Sequence, residues 1–185
     1  MGQLLQLFAG KQKQLSFEAL LAPYMNLMFK VAYQYTGSHA DAEDLLQDLL
    51  IDLYANQQKL QGIEKLKPWL MRCLYNKFID SYRKNKHLAD VDSLDNEQVV
   101  SLAAYASEHD DKVLHQQIIA GLAHLSSSHR AVLCLHDMNG YSLPELSEIL
   151  DKPLGTLKSD LHRAREKLKM SLKLQPSDVG LRQVK

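Results

Sequence analysis

Cysteine is scarce: the 185-residue chain has two, Cys73 and Cys134, far apart and each inside an apolar helical pattern. No CxxC or HxxxH spacing occurs and the eight His are scattered, so neither a disulfide framework nor a metal site is expected, and no cofactor is implied. The pattern predicts two reduced core thiols in a cytoplasmic protein. Aromatics (7%), Gly (8) and Pro (5) are also few, which excludes an all-β fold and leaves good material for helices. No window approaches 18 consecutive apolar residues, so no membrane span is expected. Met1 to Leu15 has no apolar core before a small-residue cleavage site, so it does not read as a secretory signal. Charge of one sign is missing too: 22 basic residues balance 22 acidic ones, which excludes a uniformly basic nucleic-acid coat but allows sorted patches. With 45% apolar residues the chain can build a core, and its length suits one or two domains.

The charge is in fact sorted. Residues 1–87 carry 11 basic and 8 acidic residues, residues 88–112 carry 7 acidic residues and one Lys, and residues 113–185 carry 10 basic and 7 acidic. The acidic middle stretch has weak periodicity and many Asp and Ser. It reads as a linker between two domains, because a structureless loop of that length within one compact domain is uncommon. An irregular surface loop is the alternative.

The first block reads as helices. Phe17, Leu20, Leu21, Tyr24, Leu27, Met28, Val31, Ala32 and Tyr35 recur at helical spacing after Ser16, a plausible N-cap. Pro23 should kink this helix or split off its first turn, and Gly37 should stop it. Ser38 with Asp41 resembles a capping box opening a second helix, with Ala42, Leu45, Leu46, Leu49 and Leu53 as its stripe. A third helix is expected from Pro68 to about Lys84, with Trp69, Leu70, Cys73, Leu74 and Phe78 inside. The second block predicts helices near 113–124 and 128–138, ended by Asn139-Gly140. A short helix follows, opened by the box Ser142-Leu143-Pro144-Glu145. After Asp151-Lys152-Pro153 comes a long helix whose inner face is Leu154, Leu157, Leu161, Ala164, Leu168 and Leu172. No strand-like alternation appears.

Residues 142–168 have helix-turn-helix dimensions, and in DNA readers of that type the second helix enters the major groove. An ordinary helical hairpin has the same dimensions. The string Gly155-Thr156-Leu157-Lys158-Ser159, with His162-Arg163-Ala164-Arg165, is more specific. It resembles the recognition helix of extracytoplasmic-function (ECF) sigma factors, two-domain initiation subunits of bacterial RNA polymerase. Gly140-Tyr141-Ser142-Leu143-Pro144-Glu145-Leu146 resembles the family's lead-in. In the first block, Asp41-Ala42-Glu43-Asp44-Leu45-Leu46-Gln47-Asp48 resembles its polymerase-binding helix, and Trp69-Leu70, Asn76, Asp80 and Arg83 resemble its promoter-melting helix. The order and separation of the motifs match over about 17–86 and 120–169.

This resemblance implies an all-α protein of two small helical domains joined by a flexible acidic linker. A region 2-like domain (1–87) would bind core polymerase and recognise and melt the −10 element. A region 4-like helix-turn-helix domain (113–172) would read the −35 element as duplex. The tail, 173–185, has no assigned role. No catalytic group of its own is expected, and the implied partners are core RNA polymerase, promoter DNA and an anti-sigma factor. The implied polymerase-binding residues are Asp41, Asp44, Gln47 and Asp48. Those for the −10 element are Asn76, Lys77, Arg83 and Lys84, and those for the −35 element are Thr156, Lys158, Ser159, His162 and Arg163.

Physical chemistry is consistent with each part. Residues 38–56 hold five acidic residues and no Lys or Arg, and Asp41, Asp44, Asp48 and Asp52 fall on one side of a helix. Such a stripe repels phosphates and suits a basic protein surface, or else it is a solvated face. Residues 65–87 hold seven basic residues against Asp80, interleaved with Trp69, Tyr75, Phe78 and Tyr82. Cations and stacking aromatics suit single-stranded DNA, although Trp69 and Phe78 are also natural core residues. Asn76 offers donors and an acceptor to a base edge, and in the resembling family the matching Asn lines a pocket for a flipped base, shaped by the loop at 60–67. Its alternative is a bond to helix backbone. The linker's net charge of −6 suits a nucleic-acid mimic in the polymerase channel, or plain solubility. One departure is Asp160, where the family usually has Arg or Lys. It is expected at the border of the DNA-facing surface, paired with Arg163 or Lys167 or facing solvent, or else reading a cytosine. The rival is a free-standing helix-turn-helix regulator, which has no use for both the acidic and the basic-aromatic helix. A helical enzyme lacks any nucleophile–base constellation.

Overall fold

The computed structural model describes residues 16–60, 62–91 and 110–172, and among them every regular element is helical. The expectations for Met1 to Leu15, for most of the acidic linker and for residues 173–185 lie outside the described residues. None of the described helices is long and apolar enough to cross a membrane.

Ser16 opens helix α1 (Phe17–Leu21) by accepting the amide of Ala19. Pro23 then forces a 3₁₀ turn over Ala22–Tyr24 before α2 (Met25–Thr36), because its ring denies the chain a regular α-turn. Gly37 ends α2 in the left-handed region at φ 78°, where a side chain is strained. Ser38 caps α3 (His39–Ala55) through the amide of Asp41. A single turn, α4 (Gln57–Leu60), leads to α5 (Leu66–Val91), which begins two residues before Pro68 and runs beyond Lys84. Pro68 still lies in the first turn, where its missing N–H costs nothing.

In the second block, α6 (Asp110–Ala123) and α7 (Ser127–Leu133) precede one π-turn over Cys134–Met138. The capping box forms in full at α8 (Leu143–Leu150): Ser142 accepts the amide of Glu145, and the Glu145 carboxylate accepts the amide of Ser142. Asp151 closes α8 at φ 53°, and α9 (Leu154–Ser171) follows Pro153.

Helices α2, α3 and α5 bury one apolar layer, in which Met28, Val31, Ala32, Leu70, Met71 and Leu74 are fully inaccessible. Helices α7, α8 and α9 bury another around Leu135, Leu146, Leu157 and Ala164. Gly121 lets α6 lie close on α9, since a Cβ there would sit 2.7 Å from a Leu168 methyl carbon. The two layers join, because α2 and α5 pack against α6, α7 and α8. The inner stripe expected for α9 is buried at Leu157, Leu161 and Ala164, but Leu154 is 44% exposed. It belongs to the first turn, which projects past the core.

Candidate polymerase and nucleic-acid interfaces

Helix α3 is pinned by its apolar stripe, so its opposite face is committed to solvent. Ala42, Leu45, Leu46, Leu49 and Leu53 are buried, and Asp41, Asp44, Gln47 and Asp48 are exposed together. Ile51 (67% exposed) and Tyr54 (57% exposed) continue this face. The face therefore joins acids to an apolar end, a combination suited to a protein surface with cations around an apolar patch. Sequence reading passed over Ile51, because an Ile in an apolar helix reads as core by default.

The C-terminal end of this acidic stripe turns toward α5. Lys77 donates to Asp52 at 2.7 Å and lies 3.9 Å from Asp48. The hydrogen bond to Asp52 raises the Lys77 pKa, and the fields of Asp52, Asp48 and Asp80 add to it. Lys77 is thus charged but already paired, rather than free to track phosphates. Beside it, α3 and α5 form a groove of about 370 Å³ lined by Asn56, Lys59, Trp69, Cys73, Asn76 and Lys77, among others. That volume is near the small end for ligand pockets, roughly 300–1,000 Å³. Asn76 is exposed at its edge. Phe78 is only 4% exposed and stacks on Tyr35 at 4.8 Å between ring centroids, so it is core. Trp69 is half-buried, packing on the core while lining the groove. Arg83 and Lys84 are exposed two turns further along.

The N-terminal half of α5 meets the second block instead. Arg72 Nη2 lies 3.2 Å from Asp151 Oδ2, and Arg72 Nη1 donates to the Glu148 carbonyl at 3.4 Å. Lys65 lies 3.6 Å from Glu148, and the Lys67 ammonium sits 5.2 Å from the Tyr141 ring centroid.

On α9, Thr156, Lys158, Ser159, His162 and Arg163 are all exposed and share the face opposite Leu157, Leu161 and Ala164. Asp160 does not join them. Its side chain is 14% exposed and turns inward, accepting from Lys152 at 3.1 Å and Ser128 at 3.5 Å, with His129 Nε2 at 3.7 Å. Lys152 also donates to Ser128. The expected pairing with Arg163 or Lys167, and the expected position at the DNA border, are therefore corrected. Lys152 lies in the break before α9, a partner that helical spacing alone does not suggest. Burial lowers the pKa of His129 more than the adjacent Asp160 raises it. Arg165 turns away as well, donating twice to Asp137 at 2.8 and 2.5 Å. Burial pushes the Asp137 carboxyl up, but hydrogen bonds from Arg165 and His136 outweigh it and hold the pKa below the usual value.

Arg130 is the polar group that sequence reading missed most completely. It is 7% exposed and donates to the Tyr35 carbonyl of α2 at 2.5 Å, and also to the carbonyls of Ala123 and Leu125. Beside it, Asn139 donates at 2.7 Å to the side chain of Gln34, itself 1% exposed. The available signal was a cation at the head of the apolar run Ala131-Val132-Leu133-Cys134-Leu135. The two cysteines are unpaired. Burial pushes the Cys134 thiol up to about 12 and that of half-buried Cys73 to about 11, so both stay protonated.

Comparison with known proteins follows the same division. Residues 20–88 match the family model for Sigma-70 region 2, and residues 115–168 match Sigma-70, region 4. The chain is 29% identical to the ECF RNA polymerase sigma factor SigW of Bacillus subtilis (strain 168), over 88% of this chain and 92% of that protein. It is 25% identical to the ECF RNA polymerase sigma-E factor of Escherichia coli (strain K12), covering 90% of each. Among solved structures, it superposes with a TM-score of 0.69 on the sigma factor RpoE from Bartonella quintana, crystallised with the anti-sigma factor NepR. That match has 29% identity and covers 86% of this chain and 98% of the other.

Proposed function

Because the chain belongs to the ECF branch of the sigma-70 family, with region 2 and region 4 in order along it, we propose that it is a bacterial alternative sigma factor that binds core RNA polymerase and directs promoter-specific initiation. Polymerase performs the nucleotidyl transfer. This chain supplies no catalytic group, only recognition, and it acts in the cytoplasm, where polymerase and promoter are. Residues 1–87 form the region 2 module, 113–172 the region 4 module, and 88–112 tether them. Two modest DNA contacts on one tether gain from effective concentration.

In this reading Asp41, Asp44, Gln47 and Asp48 dock on a basic surface of the polymerase. Asn76 holds an unstacked −10 base at the mouth of the α3–α5 groove, with Arg83 and Lys84 on the strand's phosphates. Lys77 braces the groove through Asp52 and reaches DNA only if that pair yields. Thr156, Lys158, Ser159, His162 and Arg163 enter the major groove at the −35 element, with Asp160 and Arg165 holding the helix behind them. An anti-sigma factor is a further partner, as for the RpoE of Bartonella quintana in its complex with NepR.

The observation that carries this reading is the matched order of the two modules, with an acidic exposed face on α3 and a basic exposed face on α9. The test is reconstitution: purified chain added to core polymerase should be retained with it and should produce promoter-dependent run-off transcripts. Retention of the chain on promoter duplex without polymerase, and none on polymerase, would favour the free-standing regulator.

A further inference from the structure

Two neighbours at the start of α9 are not explained by the packing of the chain. Leu154 belongs by spacing to the inner face, one turn before Leu157, yet it is 44% exposed and stands outside the core. Gly155 follows it. A glycine within a helix is unfavourable relative to alanine, so its presence asks for a reason. Gly121 has one, a Leu168 methyl carbon 2.7 Å from where its Cβ would be. Gly155 has none inside the chain: a Cβ there meets nothing within 4 Å, and its φ is not in the left-handed region. A reason outside the chain is a partner surface that comes against bare backbone. This end of α9 is also held in place. The Lys152 amide donates to the Ser147 carbonyl at 3.4 Å, its carbonyl accepts the Ser147 hydroxyl at 2.6 Å, and its ammonium lies 3.1 Å from Asp160. Pro153 then sits at φ −60°, where its ring fixes it, and accepts the Leu157 amide at 3.0 Å. The first turn is thus a rigid platform, as readout by a single apolar contact requires.

We propose that Leu154 reads the C5-methyl group of one thymine in the −35 element, with Gly155 as the clearance that lets the first turn of α9 reach it. The inference rests on the −35 reading of α9. Side chains on a helix lean toward its N-terminal end, so Leu154 projects ahead of the first turn, on the side that Lys158 continues one turn later. In helix-turn-helix readers the first residues of the second helix meet base edges. Gly155 heads an exposed row that runs on through Ser159 and His162, four and seven residues later. An α-helix with its side chains is about 10–12 Å across and the major groove about 12 Å wide. A first turn with no side chain at the head of its outward row therefore sinks deeper than one carrying a Cβ. Thymine alone among the four DNA bases carries an apolar group on its major-groove edge. A leucine offers no donor or acceptor to the others, so the chemistry of the side chain selects the base.

The test uses the full chain reconstituted with core polymerase and a promoter duplex library randomised over the −35 element. The library is prepared with thymidine in that element, and again with deoxyuridine there, which lacks the methyl group and keeps the pairing. Wild type should prefer thymine at one position by about fourfold, the worth of one methyl group taken out of water, and the deoxyuridine library should lose that preference. Leu154→Ala should lose it in the thymidine library while the other positions keep theirs, and Leu154→Met should keep part of it. Gly155→Ala should hold or raise Tm, since the added Cβ meets nothing within the chain, yet lower affinity for every −35 sequence by about tenfold. A −35 preference that is indifferent to the thymine methyl, or that Leu154→Ala leaves intact, overturns the proposal alone, as does wild-type affinity in Gly155→Ala. Weaker retention of Leu154→Ala on polymerase without DNA, with its thymine preference unchanged, would make the first turn a protein contact and overturn it too. No enrichment at −35 by a chain that polymerase retains and that opens promoters sinks the −35 assignment of α9, and the proposal with it.

Discussion

Replacing Asp160 with Ala separates a folding role from a DNA-reading role. The carboxylate sits 3.1 Å from the Lys152 ammonium, and both side chains are less than one quarter exposed (14% and 24%). At an effective permittivity near 20, the gross attraction at that distance is about 5 kcal/mol. Desolvation of both groups returns much of it, and breaking a fully buried pair typically costs about 3–5 kcal/mol. With Lys152 partly wet, and with Ser128 losing an acceptor, a loss of about 2 kcal/mol is expected. For a chain of this length that lowers Tm by about 4–8 °C, as read by circular dichroism at the helical minimum. Asp160→Asn keeps an acceptor and should lose about half as much. Neither change should alter the salt dependence of −35 binding when measured well below Tm, because no phosphate contact is gained or lost. Asp160→Arg places a cation beside Lys152 and His129 and should destabilise more than Ala. An unchanged Tm for Asp160→Ala, together with a changed preference at one base pair, would refute this reasoning and return Asp160 to the DNA surface.

Asp44→Lys is the cleaner test of polymerase docking, because Asp48 and Asp52 are engaged by Lys77. It should weaken retention on core polymerase by about five- to tenfold, roughly the 1–1.4 kcal/mol of one rim charge pair reversed, with Tm unchanged. Asn76→Ala should impair open-complex formation and alter preference at one −10 base, read by permanganate footprinting on base variants; normal initiation on all of them would remove Asn76 from the pocket. The depressed Asp137 pKa predicts an acid limb in stability. The folded value lies below the unfolded one of about 3.8, so the contribution is present above that pH and is lost as pH falls through the folded value. Arg165→Met should flatten that limb in acid titrations monitored by circular dichroism, while an unchanged acid midpoint would count against the pairing.

The amino-acid sequence by itself determined the helical class, most helix boundaries and the outward faces. Those features follow from periodicity and from local chemistry. Apolar residues at three- and four-residue spacing dictate what α3 and α9 bury, and the Ser142–Glu145 box and Gly37 act within one turn of where they stand. Local rules also placed Asp44, Asn76, Lys158 and Arg163 on exposed faces. Only the tertiary structure decided which charges are already spent. Lys77 answers to Asp52, 25 positions away, Arg165 to Asp137, and Asp160 to a lysine in the preceding turn. The same holds for Arg130, whose partner carbonyl on Tyr35 is 95 residues distant. A backbone carbonyl has no sequence signature, and the pairing of side chains depends on which helices meet and at what height. Periodicity fixes the rotation of each helix about its own axis. It carries no information on the partner helix, so the contact of α8 with α5 is a property of the packed molecule alone.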